Sequence, residues 1–563
     1  MVQIPAANIP SYSTLLRDNE LLWKENAGLR VQVDVLTQQV GDLMALVGDL
    51  RDEIRKLRGD PGRPDMKPAA KPSGMEKGTD PKGPGKKREG RGPARTRREP
   101  TVRTIEMEPP EGAVSAGYTE FLHQDLRVEA ISEIIRRRMW RLPDGSVVTA
   151  PMPEDVAGHF GFGVRRLILQ LYHSGQMTIP RIGELLDAVG LEISERQLVR
   201  FLHDGDESFR SEADDVLDAG LDCAPVVGVD DTGARHKGRN AATTVLQGLW
   251  FCAFATTGTK SRINFFELLQ AGAGGYRINA AALEYMRAHK VREELVEALS
   301  SAEAKSFDGE EAWIGHLSAL LPKTKGQGGS RRMRPATEAE EMETIHSRLT
   351  RLATEGALWG ALVERGRLRE TLVMADGARQ FDVGDRVRCL VHAERVIHRL
   401  EARTDAFRAA KAAAQDAFWA IYASLKVYRQ APAADAKASI SAAFDAMVSA
   451  RSGWKALDSL LDRMAKDKAL LLRALERPEA PLHNNDSENA IRCMVTRRKI
   501  SSGTRSDAGR DCRDAFLGLM KTCRKLGIVF WDYLGARLKI PGIPGIPPLA
   551  DLIRTRYAEM ATA

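Results

Sequence analysis

The stretch Ala224-Pro225-Val226-Val227-Gly228-Val229-Asp230-Asp231-Thr232 decides the fold. Its apolar run is the length of one buried strand, and it delivers carboxylates at its C-terminal tip. The form recurs at Leu372-Val373-Met374-Ala375-Asp376-Gly377. Between the two, Val245 to Ala255 (VLQGLWFCAFA) reads as a second strand, with Thr256-Thr257-Gly258 as the turn after it, forming a hairpin beside the first. Arg388-Cys389-Leu390-Val391-His392 reads as a further strand leading into a helix near Ala393. Strands alternating with helical stretches predict an α/β core.

A third acid comes from a different kind of element. In His483-Asn484-Asn485-Asp486-Ser487-Glu488-Asn489-Ala490-Ile491-Arg492, Asn485 or Asp486 caps a helix that carries Glu488 near its first turn. Glu488 and Arg492 are four apart and share a helix face. Arg497, Arg498 and Lys499 follow on the same helix, where a basic run downstream of a carboxylate would meet phosphates. Two strand-tip aspartates and a helix-borne glutamate suit phosphoryl transfer on DNA. Such chemistry uses two divalent ions about 3.5 to 4 Å apart, one for the attacking and one for the leaving oxygen. Mg²⁺ (or Mn²⁺) takes hard oxygen ligands and keeps several waters, so Asp230, Asp376 and Glu488 suffice as catalytic and metal-binding residues. Asp231 adjoins Asp230 on the opposite face of the strand, and strand geometry alone does not choose between them. His236, His392 and His483 lie near these acids, either to orient water or as satisfied polar contacts.

Outward from this core, the N-terminal 11–58 region has Leu15, Leu22, Leu29, Leu36, Leu43, Leu50 and Leu57 at an unbroken seven-residue spacing. With these at d, the a positions are Asn19, Asn26, Val33, Val40, Val47 and Ile54, a pattern that predicts a parallel two-stranded coiled coil and hence a homodimer. Asn19 and Asn26 would fix its register. Residues 59–105 form a basic tether rich in Pro, Gly, Lys and Arg, unable to bury enough apolar surface to order itself. Residues 106–220 read as a small antiparallel sheet (alternation from Leu126 to Ile135, then Met139-Trp140, a Pro143-Asp144-Gly145 turn and Val147-Val148) followed by three helices: about Val164 to His173, Ile179 to Ala188, and one opening at Ser194. Gly190 as a C-cap and Ser194 with Gln197 as a capping box make the last pair resemble a helix-turn-helix. Its final helix would offer Arg196, Gln197 and Arg200 to a major groove. The catalytic region is expected over 221–538, with helical insertions at about 274–369 and 400–479, the latter holding helices at Phe407 to Leu425 and Ala442 to Leu475. Residues 539–563 are read as a tail.

Bulk properties agree with this organisation. The net charge is +7, and Pro61 to Pro100 carries twelve Lys/Arg against five Asp/Glu, so the excess is concentrated in the tether. The six cysteines form no Cys-x-x-Cys pair that would grip zinc. No apolar stretch approaches a membrane span and the N-terminus lacks a signal-like pattern, so a cytoplasmic, nucleoid-associated protein with no membrane partner is expected.

The ordered set of blocks resembles a known family. His159-Phe160-Gly161 with Leu171-Tyr172-His173, Gly190 to Ser194, Asp230 to His236, Thr257 to Arg262, Ala375-Asp376-Gly377-Ala378 with Gln380-Phe381, Cys389 to Arg395, and Asn484 to Glu488 through Arg492 to Ser501 together are similar to the bacterial DDE transposases of the insertion-sequence sixty-six family, in its leucine-zipper form. The resemblance covers about Phe121 to Leu538. It implies an RNase H-like core with Asp230, Asp376 and Glu488 as ligands of two metal ions, and it selects Asp230 over Asp231. It also implies cleavage and strand transfer at the terminal inverted repeats of a mobile element, with double-stranded DNA (element ends and target) as partner and accessory proteins encoded alongside. Two departures stand out: the region of Leu126 to Val148 lacks the cysteine-rich zinc motif of many relatives, and Ala375 and Gly377 flank the second aspartate where the family usually has Ser and Asp. The rival expectation is a non-catalytic dimeric DNA-binding protein or repressor derived from a transposase.

Overall fold

The computed structural model describes residues 99, 101–108, 118–153, 156, 158–272, 274–320 and 338–562. The predicted zipper, with all its leucines and asparagines, lies outside the described residues. The chain divides into two compact units: Met1–Asp125 with Ala402–Arg408, and Leu126–Glu401 with Ala409–Ala563. In the first, the Tyr118 hydroxyl donates to Glu106 at 3.0 Å. Everything that follows concerns the second unit.

It opens with a hairpin, β1 (Met139–Arg141) and β2 (Val147–Thr149), paired in register through Trp140 and Val148. Asp144 closes its turn by accepting from the Ser146 amide at 2.9 Å. The alternating Leu126 to Ile135 stretch forms no strand, and Ile131 is 90% exposed. Alternation makes a sheet only where a partner strand completes the ladder.

Helices α1 (Phe162–Leu169), α2 (Ile179–Ala188), α3 (Glu195–His203) and α4 (Glu207–Cys223) follow, with a π turn at Gln170–Ser174 extending α1. The hairpin of α2 and α3 is written in local chemistry. Gly190 takes φ +87 at the end of α2, and the Ser194 hydroxyl accepts from the Gln197 amide at 3.3 Å, a cap that stabilises by about 1 kcal/mol. Ile182 and Leu186 of α2 meet Leu198 and Leu202 of α3 in the core, which leaves Arg196 and Arg200 exposed.

The central sheet contains β3 (Val226–His236), β4 (Arg239–Gln247), β5 (Cys252–Thr257), β8 (Leu372–Ala375) and β9 (Asp385–Arg388), in the spatial order β5-β4-β3-β8-β9. The β3–β4 and β4–β5 pairs are antiparallel; β8 and β9 run parallel to β3. The VLQGLWFCAFA run, expected as one strand, is instead the end of β4, a tight turn and β5. The Gly248 amide donates to the Phe251 carbonyl at 3.1 Å, and the turn drives Phe251 fully into the core. Leu249 at this turn is 56% exposed, and an apolar residue in the run gives no sign that the chain turns outward there.

After β5 come α5 (Arg262–Leu269), β6 (Tyr276–Arg277), α6 (Ala280–Ala288), α7 (Glu293–Ser301), β7 (Ser306–Phe307), α8 (Glu310–Leu320) and α9 (Glu338–Glu364). The segment from β6 to α9 is the first expected insertion, and it shares one hydrophobic core with α1 to α4. Trp313 is fully buried there, its indole N–H donating to Thr354 at 2.9 Å. After β9, α10 (Leu390–His398) leads to the second insertion, α11 (Asp405–Tyr428), α12 (Ala434–Ser449), α13 (Lys455–Lys466) and α14 (Lys468–Leu471). The stretch expected as a continuous helix from Ala442 to Leu475 is broken at 450–454, where Ser452 and Asp458 form a capping turn (Ser452 amide to Asp458, 3.0 Å). This insertion has its own core.

The chain closes with α15 (Asn485–Ser501), α16 (Asp507–Lys525), α17 (Phe530–Arg537) and α18 (Leu549–Thr562). The expected tail is therefore corrected: α18 buries Leu549, Ala550, Ile553 and Tyr557 in the main core. Glu212 of α4 holds this end, accepting from the Leu549 amide at 3.1 Å and from Arg537 at 2.7 Å.

Strand alternation divides the two cores. On β8, Val373 and Ala375 belong to the main core, whereas Leu372 and Met374 belong to that of the second insertion. On β3, Val227 and Val229 face the main core, so Gly228 and Asp230 face the other side. That second face is the one covered by α15.

Candidate active site

Parallel pairing of β3 and β8 sets Val226 against Leu372, Val227 against Val373 and Gly228 against Met374. Two residues beyond the last pair stand Asp230, inside β3, and Asp376, immediately after the end of β8, at corresponding positions. The register of two adjacent strands thus brings together acids that are far apart in sequence.

Helix α15 is laid across this face. Its buried stripe is Ser487, Ala490, Ile491, Met494 and Arg497. Two hydrogen bonds tie its start to the sheet: the Asn484 side-chain amide donates to the Val229 carbonyl at 2.7 Å, and Gln247 of β4 donates to the Ser487 hydroxyl at 3.2 Å. Gly228 is required for this approach, because a β-carbon there would lie 2.5 Å from the Ser487 hydroxyl oxygen. With Ser487 pinned to β3, the next residue, Glu488, comes near Asp230, which stands inside β3 and not at its expected C-terminal tip, because pairing with β4 carries the strand on to His236.

Electrostatics shows that the three acids sense one another. Burial, with the charges of Asp376, Asp231 and Glu488, pushes the Asp230 carboxyl up to about 6 despite its hydrogen bond from the Asp231 amide. Glu488 has Arg395 at 3.4 Å on Oε2 and His392 at 3.6 Å on Oε1, and Oε1 is buried without a hydrogen-bond partner. Asp376 is exposed and accepts from the Ala378 amide at 2.9 Å. The carboxylate oxygens of the three acids do not all fall within 4.8 Å of one another. Hard oxygens, a buried carboxylate oxygen with no donor, and repulsion that a dication would relieve all fit divalent metal.

The two neighbouring aspartates differ in their partners. Asp231, on the other face, is engaged by Lys260 and by Gln380, whose side-chain amide donates at 2.6 Å. Asp230 has no ion-pair partner among the described residues. His236 is held by Thr504 at 2.8 Å and Asp507 at 3.0 Å, so it serves as a strut between β3 and α16. His483 is half-buried with Nδ1 unpartnered.

The cations expected along α15 separate into two kinds. Arg492 and Lys499 are exposed. Arg498 reaches the Gly233 carbonyl of β3 and stays half-exposed. Arg497 turns inward: it is 6% exposed, lies over the Tyr172 ring at 3.8 Å and donates to the Tyr172 carbonyl at 2.9 Å. A guanidinium used this way is not available to phosphate. On α3, Arg196 is exposed, Gln197 half-buried, and Arg200 exposed beside Asp204 at 3.4 Å. Sequence reasoning passed over Arg395 as a partner of Glu488. Its signal was its place in the Cys389-to-Arg395 block, on the first helix after β9.

Two comparisons bear on this arrangement. The family described as "Transposase IS66 family" matches residues 374–511, a span holding Asp376, Arg395 and Glu488 but not Asp230. The uncharacterised protein y4jO of Sinorhizobium fredii is 38% identical over 341 residues, covering 61% of this chain and all of that protein. No solved structure matches. On the strength of these two likenesses, the chain belongs to the IS66 family of transposases.

Proposed function

We propose that the chain cuts and joins DNA at the ends of an insertion sequence, using Asp230, Asp376 and Glu488 as the ligands of two Mg²⁺ or Mn²⁺ ions. The observation that carries this reading is the correspondence of Asp230, inside β3, with Asp376, just past the end of its parallel neighbour β8, while α15 brings Glu488 close enough for its charge to act on Asp230. The spatial order β5-β4-β3-β8-β9, with acids on the strands that come first and fourth along the chain and a third acid on a later helix, supports assignment to the RNase H-like class. When bound, the metals would polarise phosphate and lower the pKa of the attacking oxygen. Asp230, Asp376 and Glu488 would together hold the ions, and binding of a dication would relieve the repulsion that the other acids impose on Asp230. Arg395 and His392 orient the Glu488 carboxylate.

Duplex DNA is the substrate of this reading. Arg492, Arg498 and Lys499 would meet its backbone near the acids, and Arg196, Gln197 and Arg200 on α3 would read the inverted repeats in a major groove. The region from the hairpin to α4 serves as the end-binding domain, and the sequence-predicted zipper pairs two chains so that two ends are held at once; accessory products of the same element complete the assembly. Among the described residues no helix is long and apolar enough to cross a membrane, in keeping with work on chromosomal DNA in the cytoplasm.

The test is cleavage of DNA bearing the element's own ends, with purified full-length protein and Mg²⁺. Asp230→Asn, Asp376→Asn and Glu488→Gln should each lower cleavage by roughly a thousandfold or more, equivalent to about 4 kcal/mol of barrier, while still binding the ends. Equal cleavage by wild type and Asp376→Asn removes that aspartate from the chemistry.

A further inference from the structure

A second cluster of metal-ligating side chains lies away from the three acids. His203 ends α3, Asp206 stands immediately before α4, and Cys512 sits in the first half of α16. The intervening turn is closed by the Asp206 amide donating to the His203 carbonyl at 3.3 Å, with Gly205 at φ +66, a conformation suited to glycine. One ring nitrogen of His203, one carboxylate oxygen of Asp206 and the Cys512 sulfur all lie within 4.8 Å of one another, the one such group among the described residues.

The cluster is buried and incompletely bonded. Asp206 is 3% exposed and Cys512 2%. Arg210 approaches Oδ1 of Asp206 at 3.3 Å, while Oδ2 has no hydrogen-bond partner; Nδ1 of His203 is likewise buried and without one. The Cys512 thiol donates to the Leu202 carbonyl at 3.1 Å. A buried polar atom left unpaired keeps the cost of its lost hydration without compensation. Two residues of the cluster thus carry a buried polar atom without a partner, beside a thiol, and a cation that accepts lone pairs from nitrogen, oxygen and sulfur would answer all three.

We propose that His203, Asp206 and Cys512 form a zinc site that fastens α3 to α16. Imidazole, carboxylate and thiolate together match the borderline-soft Zn²⁺, and water fills the fourth tetrahedral position. Mg²⁺ is disfavoured by the sulfur and nitrogen donors. On binding, the Cys512 proton passes to solvent and the thiolate exchanges its bond to the Leu202 carbonyl for one to the metal. The helix so fastened is the one bearing Arg196, Gln197 and Arg200. Helix α16 is in turn bound to β5, with the Thr522 hydroxyl accepting from the Cys252 amide at 3.0 Å and Arg513 donating to Thr256 at 2.7 Å. The zinc would therefore set the α2–α3 pair against the sheet. It is separate from the cysteine-rich motif absent around Leu126 to Val148, and it does not depend on the proposed cleavage activity.

The test uses full-length protein supplied with Zn²⁺ and then dialysed in excess Mg²⁺, which occupies the acidic centre. Wild type should retain about one zinc per chain. Cys512→Ser and His203→Gln should lose it, with circular dichroism confirming that both are folded, while Cys523→Ser and Asp376→Asn keep it. Replacing zinc by Co²⁺ should give a thiolate-to-metal charge-transfer band in wild type that Cys512→Ser lacks. The proposal is overturned if dialysed wild type holds no zinc, if folded Cys512→Ser holds as much as wild type, or if the cobalt form shows no thiolate band.

Discussion

Asp230 and Asp231 are adjacent in sequence and sit on opposite faces of one strand, yet the protein treats them oppositely. Asp231 is enclosed by Lys260 and Gln380, so its charge is answered by the fold. Asp230 is pushed up to about 6 by burial and by acids that gather around it, with no cation in reply. Folding alone would remove such a cluster, since like charges held together oppose the compact state. An acid with a partner supports the architecture; acids gathered without one mark a place where the architecture is subordinate to chemistry.

The strongest test of the partnered kind is Glu212, which gathers Arg537, the Tyr533 hydroxyl at 2.7 Å and the Leu549 amide. Burial works to raise its pKa, but those donors prevail and hold it below 4.5. A depressed folded value means that the stabilisation is complete above the unfolded pKa and is lost as pH falls through the folded one. Glu212→Gln should cost about 2 to 3 kcal/mol at neutral pH, and denaturant melts of the two proteins should converge on acidification below pH 4.5. A constant gap at all pH values would mean that the carboxylate charge contributes nothing. Smaller effects of opposite sign are expected on β3. In metal-free protein at neutral pH, Asp231→Asn should destabilise by about 1 to 2 kcal/mol, and Asp230→Asn should stabilise by roughly 1 kcal/mol after allowance for solvent screening. Added Mg²⁺ should raise the Tm of wild type and not that of Asp230→Asn. If both substitutions destabilise alike, the contrast between the two faces fails.

How much of this was legible in the sequence follows from the range of the interactions. The Ser194 cap and the Gly190 turn are local, and α2 and α3 fall where they were expected. Asp230 and Asp376 were visible because a short apolar run closed by an acid is a local signal too. That they stand at corresponding positions is a property of strand register, which no single segment encodes. The burial of Arg497 was invisible for the same reason: its partner Tyr172 is 325 residues away, and in sequence Arg497, Arg498 and Lys499 look alike. The strand break at Gly248 was missed because apolar residues at the turn continue the run, and the docking of α18 because short amphipathic helices are specified by what packs on them.

The same distinction between answered and unanswered charge extends to the cations, with the smallest expected effect. Lys499 is exposed, so its removal leaves no buried partner stranded and Lys499→Ala should be neutral for stability. If it meets DNA phosphate, binding should weaken uniformly over all sequences, and the slope of log K against log salt should shallow by about 0.9, as expected when a single phosphate is no longer neutralised. Arg497→Ala should behave in the reverse way, lowering Tm because the Tyr172 ring and carbonyl are left without their guanidinium, and keeping the salt slope of the folded protein unchanged. Fluorescence anisotropy with a duplex, repeated across a salt series, separates the two. A shallower slope for Arg497→Ala would place that guanidinium on DNA and show that its inward position is exchanged for phosphate on binding.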